Sequence, residues 1–217
     1  MNDVVIRPLR FTDDVQAMRA FLETLGLRSR IESERGLWVD MVAGRGMVAL
    51  HDAAGNTSGA GPGETRLAFE ADDIDELKDR LEAAGYADAS IFDEAFGRVL
   101  TASGPDGTKL WIDERSKDLY GYKLHAADAD ARWSVTPVFG VGDQAGWERL
   151  LEVLGGDNPE LVKFRAAAEF DVRIELSTTE SLDEVTRRLA ATGHQVEVAD
   201  GGLAVVDPDG QTVRVRG

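Results

Sequence analysis

The chain has 217 residues, with 40 acidic and 24 basic side chains, a formal net charge of −16 and no cysteine. The lack of cysteine excludes disulfides, thiolate metal sites and a cysteine nucleophile, and the negative charge opposes binding to nucleic acid and to anionic membranes. The sequence has no run of eighteen apolar residues and no leader-like start, so we expect a cytoplasmic protein. A cationic ligand would be attracted, although acidity alone also favours solubility.

The first half alternates strand-like runs with two amphipathic helices. It opens with VVIRPLRF and a helix, followed by the runs GLWVDMV and GMVALHD. Within the glycine-rich loop AAGNTSGAGPGE, the segment GAGPGE has neither the strand before it nor the lysine that a nucleotide site needs. The run RLAFEA, a second helix and the closing segment GPDGTKLWIDE complete this half. The apolar stripes of the two helices are Val15, Met18, Phe21, Leu22 and Leu25, and Ile74, Leu77 and Leu81.

The second half repeats this order. DELKDRLEAAG at Asp75–Gly85 and DEVTRRLAATG at Asp183–Gly193 are identical at six of eleven positions, and FLETLG at Phe21–Gly26 matches LLEVLG at Leu150–Gly155 at four of six. Both halves also contain a PDG turn before a final strand, so the chain is a tandem duplication. The second-half helices have the stripes Trp147, Leu150, Leu151 and Leu154, and Leu182, Val185 and Leu189, with a capping box predicted from Ser181 and Glu184.

The second copy is shorter than the first. Gly26 and Asp75 are 49 positions apart, whereas Gly155 and Asp183 are 28 apart. Where the first copy has two strand-like runs and the glycine-rich loop, the second has room for about one strand. We therefore predict a first domain at residues 1–115, a linker at 116–131 and a shortened second domain at 132–217.

The linker region, RSKDLYGYKLHAADAD, has no regular periodicity. It is either a disordered tether or a segment packed across the domain junction and anchored by Tyr120 and Tyr122. Leaving two aromatic side chains exposed to water costs free energy, so the second interpretation is favoured.

Three segments together, RPLRFTDDVQAMRAFLETLGL, LAFEADDIDELKDRLEAAG and GPDGTKLWIDE, resemble the vicinal oxygen chelate superfamily of glyoxalases, bleomycin-resistance proteins and extradiol dioxygenases. The resemblance covers residues 4–114 and, more weakly, 133–217. It implies an α+β fold of paired βαβββ modules that form a curved sheet cup, duplicated in tandem with a degenerate second copy. It also implies a possible homodimer, because related single domains often pair.

Metal-dependent members of that superfamily hold an ion with histidine and glutamate from separate strands. The resemblance puts these places at Ile6, Ala49, Arg66 and Trp111, and in the second half at Thr136, at Ile174 or Arg173, and at Arg214. None of these suits a divalent cation. Independently, the only histidines, His51, His125 and His194, lie in a strand, in the linker and after a helix. We therefore expect no metal, no cofactor and no assignable catalytic residue.

Strand alternation separates the side chains that face the core from those that face the cup. In the closing strand, Leu110 and Ile112 suit the helix-covered side, so Lys109, Trp111 and Asp113 point into the cup. Flat apolar walls with a few charges are typical of a small-molecule pocket. The predicted ligand-binding residues are Trp38, Asp40, Met47, His51, Arg66, Glu70, Lys109 and Trp111.

Each of these residues also has a simpler explanation. Trp111 could cap a core, Arg66 and Glu70 could form an ion pair of little consequence, and His51 could be a surface residue at a strand end.

Three functions follow from the sequence. The first is a metal-free protein that binds or sequesters a small, partly aromatic molecule, as the resemblance to bleomycin-resistance proteins implies, and the negative net charge would favour a cationic one. The second is a glyoxalase- or dioxygenase-like enzyme, with Asp40, His51 and Glu70 as unconventional metal ligands or with His51 as a general base. The third is a structural or interaction module that binds no small molecule.

Overall fold

The computed structural model describes residues 4–115, 119–126, 128–199 and 201–217, which form an α+β protein with three curved sheets. The helices are α1 (Val15–Thr24), α2 (Ile74–Ala83), α3 (Gln144–Leu154), α4 (Asn158–Leu161) and α5 (Leu182–Ala191). The strands up to the linker are β1 (Val4–Ile6), β2 (Leu9–Thr12), β3 (Arg28–Ser33), β4 (Trp38–Val42), β5 (Met47–Asp52), β6 (Thr65–Arg66), β7 (Phe69–Ala71), β8 (Ser90–Glu94), β9 (Gly97–Ser103) and β10 (Lys109–Glu114). The later strands are β11 (Tyr122–Leu124), β12 (Trp133–Val141), β13 (Lys163–Ala166), β14 (Asp171–Thr178), β15 (Val196–Ala199), β16 (Gly202–Val206) and β17 (Thr212–Arg216). Among the described helices, none is both long and apolar enough to cross a membrane.

The chain divides into two compact units, each with its own hydrophobic core. The first unit consists of Met1–Pro8, Arg66–Asp118 and Pro137–Arg173, and the second of Leu9–Thr65, Leu119–Thr136 and Ile174–Gly217. Each unit therefore contains segments from both copies of the repeat. The predicted domain boundaries near residues 115 and 132 follow the repeat and stay predictions.

The first sheet is one complete module with an added strand. Its order is β1-β7-β10-β9-β8, and β7, α2, β8, β9 and β10 follow one another in the chain as βαβββ. β10 runs parallel to β7 with Ile112 opposite Phe69, and antiparallel to β9. Leu110, Ile112 and Phe69 are fully buried in the core that also contains α2. The opposite face, which carries Glu70, Trp111 and Asp113 and does not pack on α2, is called here the free face of the first sheet, although Glu70 itself is buried.

The second sheet is built on the same plan. Its order is β11-β3-β4-β5-β2-β6, with β2, α1, β3, β4 and β5 as the βαβββ module. β2 is parallel to β5, while β3, β4 and β5 are antiparallel. The prediction of paired βαβββ modules is confirmed at the level of the fold.

The third sheet contains the second copy and shows what that copy has lost. Its order is β13-β12-β14-β17-β16-β15. β14, α5, β15, β16 and β17 form a full module, whereas β12 and α3 are followed by the short α4 and the single strand β13. The shortened segment therefore retains one strand after its helix, as the spacing predicts.

The helical stripes were predictable because helix periodicity is local. Val15, Met18, Phe21 and Leu22 are buried on α1, and Trp147 and the three leucines of the predicted stripe are buried on α3. Asp14, Asp73 and Asp143 cap α1, α2 and α3 by accepting backbone N–H groups. The predicted capping box of α5 is wrong: Ser181 is the N-cap residue, but its side chain makes no capping hydrogen bond.

The end of α1 requires glycine for two reasons. Gly26 has φ +86°, and a Cβ atom there would lie 2.4 Å from the Cδ1 atom of Trp133. Trp133 is fully buried, and its Nε1 donates to Glu180 Oε2 at 2.9 Å. The indole ring has little freedom to move away, so the packing of the second unit depends on the absence of a side chain at residue 26.

Part of the predicted linker is an ordered strand. β11 pairs antiparallel with β3, and the Tyr122 ring meets the Trp38 ring edge-on with centroids 5.9 Å apart. His125 Nε2 lies 2.9 Å from Oε2 of Glu32, which is on β3. Burial opposes ionisation of Glu32, but the hydrogen bond from His125 and the charge of Arg19 outweigh it and lower the pKa of Glu32. Linker residues 116–118 and 127 lie outside the described residues.

Candidate functional site

The eight predicted ligand-binding residues fall into two groups, one in each compact unit. The group in the second unit is Trp38, Asp40, Met47 and His51, on β4 and β5. The group in the first unit is Arg66, Glu70, Lys109 and Trp111, on β6, β7 and β10. The two groups are described separately.

In the second unit, Trp38 and His51 are directly opposite each other across β4 and β5. The His51 ring lies 5.5 Å from the Phe11 ring, and its Nδ1 is 2.7 Å from the carbonyl oxygen of Asp52. Both side chains are half-buried. His51 therefore packs against an aromatic ring and contacts backbone, an arrangement that holds the ring in place.

Asp40 and Met47 lie on the same sheet but are not open to solvent. The Asp40 side chain is fully buried and forms an ion pair with Arg30, and Met47 is also buried. Alternation tells which side of a strand a residue faces but does not tell whether that side is covered. The sequence places Met47 on an open side, whereas the structure buries it.

The free face of the first sheet carries a buried cluster of charges. Glu70 on β7 and Asp113 on β10 occupy opposite positions of the parallel pair. Arg7 donates from Nη1 to Glu70 Oε2 at 2.9 Å and from Nη2 to Asp113 Oδ2. The side chains of Arg7, Glu70 and Asp113 are 7%, 5% and 21% exposed. One guanidinium thus bridges two carboxylates from adjacent strands.

The backbone explains why Arg7 reaches this cluster. The N–H of Arg7 donates to the carbonyl of Ala68 at 2.9 Å, which continues the antiparallel pairing of β1 with β7 by one step. Val5 is opposite Glu70, and side chains two residues apart share a face, so Arg7 points to the face that carries Glu70.

A second arginine completes the coordination of Glu70. Arg115 Nε donates to Glu70 Oε1 at 2.5 Å, and its Nη1 pairs with Asp72. Both oxygens of Glu70 therefore accept charge-assisted hydrogen bonds, the arrangement that a buried carboxylate needs.

Aromatic rings lie beside the charged cluster. Trp111 Nε1 donates to Asp113 Oδ1 at 2.8 Å, which fixes the plane of the indole. The Phe92 ring meets the Trp111 ring edge-on, with centroids 5.6 Å apart, and Lys109 Nζ is 6.0 Å from the Trp111 centroid. Trp111 and Phe92 are half-buried, so each keeps exposed ring surface. Such a wall can stack a flat apolar group, with Lys109 nearby.

The residues at the superfamily's metal-ligand places do not fit a metal ion. The side chains of Ile6 and Ala49 have no donor atom for a metal, Arg66 is a cation, and the only polar side-chain atom of Trp111 is a hydrogen-bond donor. In the part of the chain that the structure describes, no group of three or more histidine, aspartate and glutamate side chains is arranged to hold an ion. At the corresponding second-copy places, Thr136 offers a hydroxyl, and neither Ile174 nor Arg214 offers a ligand.

The sequence prediction missed Arg7, Arg115 and Phe92. A signal for Arg7 did exist: Glu70 and Asp113 both fall on the cup side by alternation, and two neighbouring carboxylates require a cation. The strand pairing that brings Arg7 to them could not be read from the sequence.

The whole chain is similar in structure to solved ring-cleaving dioxygenases and a glyoxalase. A catechol 2,3-dioxygenase matches with a TM-score of 0.65 and 12% identity over 99% of this chain and 88% of that chain. The 2,3-dioxygenase LapB from Pseudomonas sp. KL28 matches with a TM-score of 0.64 and 14% identity over 98% and 91%. The Mn(II)-bound glyoxalase from Novosphingobium aromaticivorans matches with a TM-score of 0.61 and 16% identity over 99% and 82%.

No protein-family model matches the sequence, and no curated protein is similar to it in sequence. At identities this low, the structural similarity shows a common fold only, and an activity has to be argued from the residues of the site. The order of the modules, the near-complete coverage and these neighbours agree with the resemblance seen in the sequence. The chain has the vicinal oxygen chelate fold.

Proposed function

We propose that the chain binds a small, partly aromatic molecule on the free face of the first sheet and needs no catalytic metal to do so. The observation that carries the proposal is the fixed, half-buried indole of Trp111, held through Nε1 by Asp113 and flanked by Phe92. A flat ring that is already oriented loses little conformational freedom when a ligand stacks on it.

The polar groups around Trp111 are few and specific, as in small-molecule sites. Lys109 lies near the indole and is exposed, whereas Asp113 is 21% exposed and has both oxygens engaged. The resemblance to bleomycin-resistance proteins is consistent with sequestration of a ligand rather than its conversion.

The alternative is an enzyme that uses Asp40, His51 and Glu70 as unconventional metal ligands. The contacts of these residues speak against it: Asp40 is paired with Arg30, Glu70 with two arginines, and His51 Nδ1 contacts a backbone carbonyl. Elemental analysis of protein purified without chelators tests this alternative. Near-stoichiometric iron, manganese, zinc or nickel would favour the enzyme.

A third possibility is a module that binds no small molecule. Native mass spectrometry of the freshly purified protein distinguishes it, because a binding protein can retain a small molecule that disappears on denaturation. Screening the purified protein against a panel of planar aromatic compounds then identifies ligands whose affinity can be measured.

The decisive experiment is calorimetry with a binding compound from that panel on matched tryptophan variants. We expect Trp111→Ala to weaken binding by about tenfold or more, because stacking and its buried area are lost. Trp38→Ala tests the other predicted group, since Trp38 is also half-buried and also meets an aromatic ring, and it should bind like wild type if the ligand lies on the first sheet. A loss of affinity in Trp38→Ala alone would move the site to the second unit. Equal affinities of wild type and Trp111→Ala would refute the proposed site.

A further inference from the structure

The charged cluster on the free face of the first sheet brings two carboxylates close together. In metalloproteins, a bound metal ion offsets the repulsion between such carboxylates. Glu70 and Asp113 are opposite each other in adjacent strands, and the Glu70 side chain is 5% exposed. Like charges at opposite positions destabilise a sheet, and burial removes the water that would screen them. A cation between the two carboxylates removes this repulsion.

Arg7 supplies that cation from within the chain. Its two terminal nitrogens contact one oxygen of each carboxylate, and its own side chain is 7% exposed. We propose that the Arg7 guanidinium is a resident cation, which takes the position that a divalent ion would otherwise have between Glu70 and Asp113.

The remaining charges of the cluster show how much depends on Arg7. Arg115 contacts Glu70 and Asp72, so the cluster has two arginines and the three carboxylates of Glu70, Asp72 and Asp113. Among these contacts of the described residues, removal of Arg7 would take away the cation that joins Glu70 to Asp113 and leave Arg115 on Glu70 and Asp72. Carboxylate oxygens without a cation are the ligands that hard ions such as Mn²⁺, Ca²⁺ and lanthanides prefer.

The resident cation also acts on the aromatic wall. Asp113 uses Oδ2 for Arg7 and Oδ1 for the indole N–H of Trp111. An ion bound by Asp113 in place of Arg7 would therefore lie close to the Trp111 ring. Terbium(III) is a suitable probe, because its luminescence can be excited through a nearby tryptophan.

The test compares terbium luminescence, excited through tryptophan, for wild type, Arg7→Gln and Arg7→Lys. We expect Arg7→Gln to bind terbium at least about tenfold more tightly than wild type, because the exchange leaves two carboxylates without their bridging cation. Arg7→Lys keeps the positive charge and should respond like wild type. The control for a lost charge is Arg98→Gln, since Arg98 pairs with Asp75 and Glu114 and is 38% exposed. Arg98→Gln should bind terbium no more tightly than wild type.

A variant of Asp113 tests whether the terbium ion binds at this cluster. Adding Asp113→Asn to Arg7→Gln should abolish the gain. Wild type that binds terbium as tightly as Arg7→Gln would overturn the proposal, and so would a folded Arg7→Gln protein without a response. A response that survives Asp113→Asn would also overturn it.

Arg7→Gln could unfold, because removing one partner of a buried ion pair is costly: we expect Tm to fall by roughly 6 to 20 °C. The double variant Arg7→Gln/Glu70→Gln then decides, since it removes one carboxylate together with the cation. It should melt higher than Arg7→Gln alone. A double variant that is no more stable than the single one would refute the resident-cation role, and this result would leave the Trp111 ligand test untouched.

Discussion

The two copies of the repeat close with the same PDG turn and hairpin, but the faces of their last strands differ. On β10 the free-face residues are Lys109, Trp111 and Asp113, and Asp113 lies opposite Glu70. On β17, Arg216 lies opposite Ser177. The buried Glu70 and the half-buried Asp113 of the first copy are thus replaced by a serine and an arginine in the second.

The charged residues on the last strand of the second copy are also more exposed than those of the first copy. Arg214 on β17 lies opposite Glu175, whose carboxylate is 3.4 Å from Arg216 Nε, and the Arg216 side chain is 40% exposed. A pair whose arginine is this exposed contributes less to stability than a buried one. The turn is kept because it closes the hairpin in both copies, whereas the strand face was free to change in the second. Ligand binding is therefore proposed for the first copy.

The largest expected effect separates two glycines that follow helices but are not equivalent positions of the repeat, Gly26 after α1 and Gly193 after α5. Gly26→Ala forces a Cβ to within 2.4 Å of the buried Trp133 ring at a φ of +86°, so we expect a loss of about 3–5 kcal/mol in the free energy of unfolding. Gly193, after α5, has φ +83° but nothing within 4 Å of a Cβ. Gly193→Ala should cost about 1–2 kcal/mol from backbone strain alone. Chemical denaturation measures both, and equal losses would show that the Trp133 ring can move aside.

The two strand faces give the next largest difference. Glu70→Gln removes the negative charge that faces two arginines and turns one acceptor oxygen into an NH2 donor, in a side chain that is 5% exposed, and we expect it to cost about 3 kcal/mol. Glu175→Gln on β14 removes the partner of a half-exposed arginine and should cost less than about 1 kcal/mol. Denaturation at low and high salt checks the contrast, because salt screens the more exposed Glu175–Arg216 pair more strongly than the buried Arg7–Glu70 pair. A small loss for Glu70→Gln would contradict the account of the buried cluster.

These contrasts show what the sequence could predict. The stripes on α1 and α2, the PDG hairpins and the outward side of β10 depend on residues close in the chain, and all were predictable from periodicity. The shortening of the second copy was also visible as a difference in spacing. Local patterns therefore determined the modules.

The charged cluster depends on a contact of another kind. Arg7 and Glu70 are 63 positions apart, and they meet because β1 pairs with β7 and β7 with β10. No pattern near Arg7 shows this pairing. Burial of Asp40 and Met47 was unpredictable for the same reason, since it depends on what covers the strand.

Two equivalent acids of the copies, Glu180 and Asp72, differ in burial, and the contribution of Glu180 to stability should depend on pH. Glu180 precedes α5 as Asp72 precedes α2, but its side chain is 4% exposed against 45% for Asp72. The hydrogen bond from Arg188, assisted by Trp133 and opposed by burial, lowers the pKa of Glu180.

Because the folded-state pKa lies below the unfolded value of 4.5, Glu180 stabilises the fold above that pH and loses its contribution as pH falls through the lowered pKa. Glu180→Gln should therefore cost about 1–2 kcal/mol at pH 7 and progressively less in acid. Asp72→Asn should cost less than about 1 kcal/mol. Urea denaturation as a function of pH measures both, and a Glu180→Gln loss that persists unchanged in acid would contradict the assigned role.

The smallest expected difference lies at the N-termini of α2 and α5. The Asp73 side chain accepts the N–H of Glu76 at 2.9 Å, so Asp73→Ala should cost about 1 kcal/mol. Ser181 occupies the same place before α5 but makes no capping bond, so Ser181→Ala should stay within about 0.5 kcal/mol of wild type. Thermal and urea unfolding of the two variants compare them directly. A loss of about 1 kcal/mol for Ser181→Ala would mean that the capping box read from the sequence forms in solution, and the copies would then be equal at this position.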